Sequence, residues 1–292
     1  MPLDHAIAES VFSHVAQTNG IPNTANKHIR IGSNAVMVLP DAGLVVRIHN
    51  PKRNKVDVLR EIQIADYLID QGVPTVWPYR EVETPVQAFE GYVVSFWAYI
   101  EESPKVFKAY QQFGAVVRMF HDVTSDYDSI LPATDTSKAI EDRIIELGSN
   151  GLVNRDEQAL LIQRLSEAES KLEHFDSVLG QGVIHGDMSP GNLIWDGKTV
   201  RLCDYESLTT GYREWDLIPL LAHTRRFNLP NDAFNQFMAG YLGSDSNPIQ
   251  LEPLYKAKEL LMVTWALKNR NLSEFHKKEA DHRLATLTWR TK

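Results

Sequence analysis

The sequence predicts an α+β fold with two lobes, the first built on an antiparallel sheet and the second mainly helical. Up to about residue 100, short apolar runs alternate with glycine- and proline-containing turns, a pattern typical of antiparallel strands. Beyond that point, apolar residues recur at helical spacing through long segments. We therefore expect an N-terminal lobe at 1–99 and a C-terminal lobe at 100–292.

In the N-terminal part, each element follows from its local pattern. Residues 35–39 and 44–48 are apolar runs on either side of a turn that contains Pro40 and Gly43, and they predict a β-hairpin. The segment 56–71 has apolar residues at helical spacing and ends before a glycine, so it predicts a helix. One more helix and two more strands are predicted at 3–17, 75–83 and 92–100.

The C-terminal part is predicted to consist of amphipathic helices. A stretch rich in Asp, Ser, Thr and Pro at 122–136 reads as a loop between the first two helices. The helices are expected at 106–121, 137–148, 155–178, 211–226, 231–242, 251–270 and 273–289.

The composition limits the classes of function. The 292 residues are 43% hydrophobic, enough for a large core, and the formal net charge is −8. A negative chain is a poor binder of nucleic acid, and no stretch is long and apolar enough to span a membrane. Residues 1–20 lack the apolar segment of a signal peptide, so a cytoplasmic location is expected. The single cysteine, Cys203, excludes an intrachain disulfide and is expected to fill the core.

One loop presents the side chains that carry chemistry. An apolar pair leads into His185, Asp187 and Asn192, and Asp204 ends the next short apolar run. The spacing His-x-Asp-x-x-x-x-Asn equals that of the catalytic loop of protein kinases, where Asp accepts the proton of the substrate hydroxyl and Asn holds Mg²⁺. Asp204 stands where the second metal-holding Asp of that reaction is expected. Asp187 is therefore the candidate base, and Asn192 and Asp204 are the candidate metal ligands.

The departures from the protein-kinase motifs point to a different family. Gly186 replaces the Arg of His-Arg-Asp, Asp204-Tyr205-Glu206 replaces Asp-Phe-Gly, and Trp215-Asp216 follows. These residues resemble the aminoglycoside phosphotransferase and choline kinase family of small-molecule kinases. The resemblance implies a protein-kinase-like fold, transfer of the γ-phosphate of ATP or GTP to a small-molecule hydroxyl, and Mg²⁺ as cofactor. It also implies that Asp216 braces the catalytic loop.

The resemblance further implies nucleotide contacts in the N-terminal lobe. Gly32 and Ser33 precede the hairpin, where backbone N–H groups can approach phosphates, and the alternative is a simple turn. Arg47 stands on the second hairpin strand at the position of the usual Lys, and Glu61 on the next helix would face it. Arg and Lys are not interchangeable as phosphate ligands, and Glu61 is equally consistent with a solvated helix residue.

The contacts to the nucleotide base and to the acceptor are less specific. The resemblance implies that the backbone from Phe96 to Ala98 meets the adenine or guanine edge, with a buried strand as the alternative. An aminoglycoside acceptor needs acidic groups, whereas a choline-like acceptor needs an aromatic cage. The candidates are Glu101, Glu102, Glu206 and Glu214 for the first, and Tyr212, Trp215 and Trp265 for the second.

Together these features predict a kinase that phosphorylates a hydroxyl of an aminoglycoside-like or amino-alcohol substrate, with Asp187 as base. A choline, ethanolamine or sugar kinase of the same family is the alternative. A nucleotide-binding pseudokinase is a second alternative, supported by Arg47 in place of Lys. The intact set of Asp187, Asn192 and Asp204 favours the active kinase. The expected partners are a nucleotide and a small hydroxyl compound, and the oligomeric state is left open.

Overall fold

The structure is a computed structural model that describes residues 3–22, 27–133, 135–227, 229–230, 232–244 and 248–287. The chain divides into two compact units. The first unit combines Met1–Asp126 with Gly191–Leu208 and Asn235–Gly243. The second combines Tyr127–Pro190, Thr209–Phe234 and Ser244–Lys292. The predicted lobes at 1–99 and 100–292 stay a prediction.

The first unit contains a five-stranded sheet. Its strands are β1 (His28–Ile31), β2 (Ala35–Leu39), β3 (Leu44–Ile48), β4 (Val86–Phe89) and β5 (Tyr92–Ala98). The strand order is β1-β2-β3-β5-β4 and every neighbouring pair is antiparallel. The antiparallel sheet predicted for the N-terminal part is therefore confirmed, and β2 and β3 form the predicted hairpin.

One face of this sheet is covered by α1 (His5–Thr18). Alternate residues of β2 and β3 are buried, as a sheet with one covered face requires. Val11 and Phe12 of α1 join them in one hydrophobic cluster. The helix begins at Asp4, whose side chain accepts a hydrogen bond from the N–H of Ile7. This cap satisfies a backbone donor that the first helical turn leaves unpaired.

The prediction of a strand at 75–83 is wrong, and β1 and β4 were not predicted from the sequence. Only isolated bridges occur in 75–83, at Thr75 and Pro78. Proline lacks an N–H group and cannot donate to a sheet ladder, so the prolines in and before this stretch break the pairing. The chain joins the sheet only after Pro85, as β4.

The rest of the first unit is mainly helical. It contains α2 (Lys55–Asp70), α3 (Tyr110–Val123), the strand pair β6 (Leu193–Trp195) and β7 (Val200–Leu202), and the larger part of α4 (Ala233–Leu242). α3 and α4 approach so closely that a Cβ atom on Gly114 would lie 1.9 Å from the carbonyl oxygen of Phe237. Only glycine fits at this crossing.

The second unit is a helical cluster with one short strand pair. The helices are α5 (Thr136–Ser149), α6 (Arg155–Leu172), α7 (Ile218–Arg226), α8 (Glu252–Lys268) and α9 (Glu274–Ala285). The strands are β8 (Gln181–Ile184) and β9 (Thr209–Tyr212), which pair antiparallel. α8 packs against α5, α6, α7 and α9 and is central to the hydrophobic core of this unit.

Three predicted helix boundaries in this unit need comment. α6 ends at Leu172 instead of 178, because Ser177 and the N–H of Leu179 leave the helical path to bind the carboxylate of Glu214. The predicted helix 211–226 is instead the end of β9, a 3₁₀ turn at Arg213–Leu217 and α7. The predicted end of the last helix, at 288–289, lies outside the described residues.

Candidate active site

One buried carboxylate holds the backbone of the loop that follows β8. Asp216 is fully buried and accepts hydrogen bonds from the N–H of His185 (2.7 Å) and the N–H of Gly186 (2.9 Å). Hydrogen bonds to an ionised acceptor are roughly twice as strong as neutral ones. The expectation that Asp216 braces the loop is confirmed.

The turn at Gly186 explains why this chain lacks the Arg of protein kinases. Gly186 has a φ of 82°, where a residue with a Cβ atom is strained. Its carbonyl oxygen accepts a hydrogen bond from the indole N–H of Trp215 at 3.0 Å. The backbone conformation itself therefore favours glycine in front of Asp187.

Asp187 is placed on the loop with its side chain accessible and paired. Its carboxylate is 46% exposed, and Oδ1 lies 3.0 Å from Nζ of Lys258 on α8. The same ammonium group lies 3.5 Å from the carbonyl oxygen of Gly186 and 5.6 Å from the ring centre of Trp215. Lys258 was not among the predicted site residues.

Some of the acidic and aromatic candidates for binding a cationic acceptor already have partners in this structure, whereas Glu101 and Glu102 are exposed. Glu214 is fully buried and accepts hydrogen bonds from Ser177 and Leu179. Tyr212 packs edge-on against Phe175. Trp265 is about half exposed on α8. Glu214 and Tyr212 are thus engaged in the packing of the second unit.

In the first unit, the candidate metal ligands lie at one end of the pair β6–β7. Leu193 pairs with Leu202, and the N–H of Cys203 donates to the carbonyl oxygen of Asn192 at 3.1 Å. Asp204 follows directly with φ 66° and ψ 70°, one of two non-glycine residues with positive φ among those described. Backbone strain of this kind clusters at functional sites.

The residues around Asp204 are inert or structural. Desolvation raises the pKa of the Cys203 thiol to about 12, so the thiol stays protonated. The residue is of intermediate burial and is not one of the core residues, so the prediction that it fills the core is not confirmed. Tyr205 is buried and its hydroxyl contacts the hydroxyl of Thr75, which also donates to the carbonyl oxygen of Leu202. These contacts hold the backbone on both sides of Asp204.

Arg47 meets two carboxylates from this same segment. Its Nη1 lies 2.8 Å from Oδ1 of Asp204, and its Nη2 lies 2.6 Å from Oε2 of Glu206. Asn34 also donates to Oε2 of Glu206 at 2.8 Å. The Arg47 side chain is only 12% exposed, whereas its partners Asp204 and Glu206 are 37% and 30% exposed, so the carboxylates remain accessible to water. The structure thus brings together Arg47 and Asp204, two residues that the sequence predicted for one site.

Glu61 is near Arg47, but it is held mainly by another arginine. Oε2 of Glu61 lies 3.8 Å from Arg47, whereas Oε1 is hydrogen-bonded to Arg53. Glu61 is 2% exposed, which excludes the alternative of a solvated helix residue. Burial raises its pKa to about 7, although the charges of Arg47 and Arg53 lower it.

The predicted phosphate loop forms a tight turn between β1 and β2. The N–H of Gly32 donates to the carbonyl oxygen of Asn34 at 2.9 Å, and the carbonyl oxygen of Ser33 accepts from the side chain of Asn50. The side chain of Asn34 accepts from the N–H of Asn50 and links the turn to Glu206. The Gly32 amide is therefore used within the turn.

The predicted base-contacting strand is paired on both edges. The N–H of Phe96 donates to Pro85, and the N–H of Ala98 donates to Trp77. The carbonyl oxygen of Phe96 accepts from Tyr79. Neither amide can donate to a nucleotide base without losing its hydrogen bond to the neighbouring backbone, whereas a carbonyl oxygen has a second lone pair. Contact of this strand with a nucleotide base stays a prediction, and the groups that could make it are the carbonyl oxygens.

The phosphotransferase enzyme family, APH, matches the chain over residues 31–254. The chain belongs to this family. The predicted family is therefore confirmed, and this APH-family chain is a phosphotransferase that acts on the hydroxyl group of a small molecule with a nucleotide as co-substrate. No curated protein matches it at a significant level.

Solved structures share its fold at low sequence identity. Amicoumacin kinase hAmiN, in complex with AMP-PNP, Ca²⁺ and Ami, has a TM-score of 0.74 and 15% identity, covering 97% of this chain and 96% of that chain. The microcompartment-associated aminopropanol kinase has a TM-score of 0.71 and 18% identity, and the match covers 94% of each chain. A choline/ethanolamine kinase family protein from Mesorhizobium loti has a TM-score of 0.66 and 20% identity, and the match covers 96% of this chain and 93% of that chain. The predicted protein-kinase-like α+β fold is confirmed.

Two contacts at the candidate site join residues that are far apart in the sequence and could not be predicted from it. Lys258 is 71 positions from Asp187, and Asn34 is 172 positions from Glu206, so no local motif could pair them. Among the residues that the structure describes, no three His, Cys, Asp or Glu side chains gather as a metal site, and no helix is long and apolar enough to cross a membrane.

Proposed function

We propose that this chain is a Mg²⁺-dependent kinase that transfers the γ-phosphate of ATP or GTP to a hydroxyl of a small molecule, with Asp187 as base. The observation that carries the proposal is the pairing of Arg47 with Asp204 at 2.8 Å, at the end of the strand pair that also positions Asn192. A cation for the phosphates and oxygen ligands for a metal are thus built from one part of the first unit.

The residues present fit a magnesium ion. Mg²⁺ prefers oxygen ligands and is usually held by one or two protein groups, with waters and nucleotide phosphates completing its shell. The side chains of Asn192 and Asp204 supply such oxygens, and the strained backbone of Asp204 holds its carboxylate at a fixed place. The ion, when bound, neutralises the charge of the terminal phosphates.

The protein groups then divide the work of binding and positioning. Arg47 neutralises the inner phosphates of the nucleotide, and the turn that contains Gly32 and Ser33 contacts its phosphates. Glu61, on α2, holds Arg47 and Arg53 in place through its carboxylate. Carbonyl oxygens of Phe96 and Ala98 accept from the base.

Asp187 orients the acceptor. Its carboxylate is accessible and its loop is clamped by Asp216, so it can accept a hydrogen bond from the substrate hydroxyl and take its proton late. Phosphoryl transfer has a loose transition state that needs little base strength, so positioning and charge neutralisation supply most of the catalysis.

The acceptor class is the finer part of the proposal. The family resemblance favours an aminoglycoside-like or amino-alcohol compound, with choline, ethanolamine or a sugar as the alternative. The similar structures are named as kinases of amicoumacin, aminopropanol and choline or ethanolamine, which supports a small hydroxyl compound as acceptor.

The test is release of ADP or GDP by the purified chain with Mg²⁺ across a panel of aminoglycosides, amino alcohols, sugars and hydroxy acids. Asp187→Asn should lower turnover at least a hundredfold and leave Mg²⁺-nucleotide affinity nearly unchanged, because only the base is lost. Asp204→Ala should abolish Mg²⁺-dependent nucleotide binding. Asp122→Asn, an exposed carboxylate paired with Arg118 on α3, is the control and should change neither.

Two results would contradict these assignments. An Asp187→Asn protein that keeps most of its turnover would remove Asp187 from the role of base. Tight Mg²⁺-dependent nucleotide binding by Asp204→Ala would remove Asp204 from the metal site. Nucleotide binding without transfer to any acceptor would leave the pseudokinase alternative.

A further inference from the structure

The ammonium group of Lys258 lies beside the carboxylate that is proposed to bind the acceptor hydroxyl. Nζ is 3.0 Å from Oδ1 of Asp187, and the side chain of Lys258 is only 11% exposed. A lysine that is largely enclosed and in contact with a carboxylate keeps its ammonium group close to the reacting group. Any group attached near the acceptor hydroxyl must therefore tolerate a positive charge.

The partners of Lys258 leave one donor for a ligand. An ammonium group has three N–H donors. In the part of the chain that the structure describes, its oxygen partners are Oδ1 of Asp187 and, at 3.5 Å, the carbonyl oxygen of Gly186. A third N–H is left that can donate to an oxygen of a bound molecule and repels an ammonium group.

Trp215, one of the three aromatic candidates for caging a cationic acceptor, contacts Lys258 instead. Trp215 lies 5.6 Å from Nζ of Lys258, and its indole N–H is used by Gly186. A cation–π site that already holds the protein's own ammonium cannot cage a quaternary ammonium ligand on that face.

Two of the four acidic candidates, Glu214 and Glu206, are already bound to other groups. Glu214 is fully buried and bound to Ser177 and Leu179, and Glu206 is bound to Arg47 and Asn34. His223, half-buried on α7, senses the charges of Asp187, Arg283 and Lys258, and burial lowers its pKa, which favours its neutral form. The ammonium of Lys258 thus offsets the charge of Asp187, the carboxylate that would otherwise attract a cationic group at this place.

We infer that Lys258 selects the acceptor by charge: the enzyme takes a hydroxyl compound with a neutral or anionic oxygen group next to the reacting hydroxyl and rejects one with an ammonium group there. The inference rests on the proposed function and narrows its acceptor class away from small amino alcohols. An aminoglycoside hydroxyl flanked by other hydroxyls remains compatible with it. The physical reason is distance, since an ammonium two carbons from the reacting oxygen falls well within the Debye length of about 8–10 Å.

Three matched sets of acceptors separate charge from shape. Each set contains an amine, a neutral alcohol and an acid on one carbon skeleton: 2-aminoethanol, ethylene glycol and glycolate; 2-amino-1,3-propanediol, glycerol and glycerate; glucosamine, glucose and glucuronate. The measurement is kcat/KM for ADP or GDP release with each compound. The proteins are wild type, Lys258→Met, Lys258→Arg and Lys268→Met. Lys268 is the matched control, because it lies on the same helix and is exposed in an ion pair with Glu146.

The expected result is a preference of at least tenfold for the alcohol or acid over the amine of a set in wild type, Lys258→Arg and Lys268→Met. Lys258→Met should reduce that preference at least tenfold, chiefly through KM for the amine. A wild-type preference for the amine, or an unchanged ratio in Lys258→Met, would overturn the inference. An equal loss of kcat with all three members would also overturn it, because Lys258 would then act on Asp187 or on the transferred group.

Failure of the proposed function looks different. In that case no acceptor, including the aminoglycosides of the wider panel, would increase nucleotide consumption by wild type, and both proposals would fall. Turnover with a preference for amines would overturn only the inference about Lys258.

Discussion

His49 gives the first unit a pH dependence that can be measured without a known substrate. The residue follows β3, is fully buried, and has its Nε2 2.8 Å from the hydroxyl of Ser95. Burial lowers the pKa of His49 from 6.5 to about 3, and the charges of Arg47 and Arg53 act in the same direction. The imidazole is thus held neutral in the folded chain.

The size of the effect follows from the two pKa values. Between about pH 3 and pH 6.5 the unfolded state binds more protons than the folded state, so stability rises with pH in this window. The contribution of His49 is fully present above the unfolded pKa and is lost as the pH falls through the folded pKa. One pKa unit corresponds to about 1.36 kcal/mol, so lowering the pH from 8 to 5 should cost about 2 kcal/mol at this residue.

The assay is urea unfolding of wild type and His49→Gln at pH 8, 7, 6 and 5. Glutamine can still hydrogen-bond to Ser95 but does not titrate, so the stability difference between the two proteins should shift by about 2 kcal/mol in favour of the variant at pH 5. His174→Gln, at an exposed position after α6, is the control and should leave the pH dependence unchanged. A difference between wild type and His49→Gln that stays constant from pH 8 to pH 5 would refute the reasoning.

Three other substitutions test separate features of the structure. Burial raises the pKa of Glu61 to about 7, so its contribution to stability is present below pH 4.5 and is lost as the pH rises through 7. In the same urea series, the free energy of unfolding of Glu61→Gln should therefore rise by about 2 kcal/mol relative to that of wild type between pH 5 and pH 8. Arg47→Lys should lower the free energy of unfolding by about 1–3 kcal/mol, because an ammonium cannot bridge two carboxylates as the guanidinium does. The same change at the exposed Arg80 is the control and should lower it by less than about 0.5 kcal/mol. Gly114→Ala should lower the unfolding temperature, although alanine is the better helix former, because its Cβ would meet a backbone carbonyl oxygen; Gly148→Ala meets only the flexible end of a glutamine side chain and should be neutral or stabilising. Equal effects of the two members of either control pair would contradict the corresponding argument.

The parts of the fold that local patterns determine were predicted correctly. α1, α2, the hairpin β2–β3 and β5 all combine an apolar period with a clear turn or stop, so their positions follow from the sequence. β1, β4 and β9 are short strands whose residues are polar or mixed, and only pairing with a neighbour makes them strands. The strand predicted at 75–83 failed for the opposite reason, since its apolar residues lie next to prolines that cannot join a ladder.

The site divides in the same way between local and distant information. Asp187, Asn192 and Asp204 are presented by two short segments, so their spacing alone makes them candidates, and their roles stay a prediction. The partner of Asp187 comes from α8, and nothing near Lys258 in the sequence distinguishes it from the other basic residues of that helix. Burial decides between alternatives that sequence leaves open, as for Glu61, which is 2% exposed and therefore cannot be a solvated helix residue.

Two departures from the protein-kinase motifs turn out to be one arrangement. Arg47 replaces the usual Lys, and Glu206 replaces the Gly of Asp-Phe-Gly. In the structure the guanidinium reaches Asp204 with one nitrogen and Glu206 with the other, which an ammonium group could not do with the same geometry. Without a planar, two-ended cation, the second carboxylate would be left partly buried and unpaired. Without Glu206, the arginine would pair with Asp204, the candidate metal ligand, as its nearest carboxylate. Arg47 and Glu206 therefore have to be considered together, and the arginine is better explained as the partner of Glu206 than as a sign of lost activity.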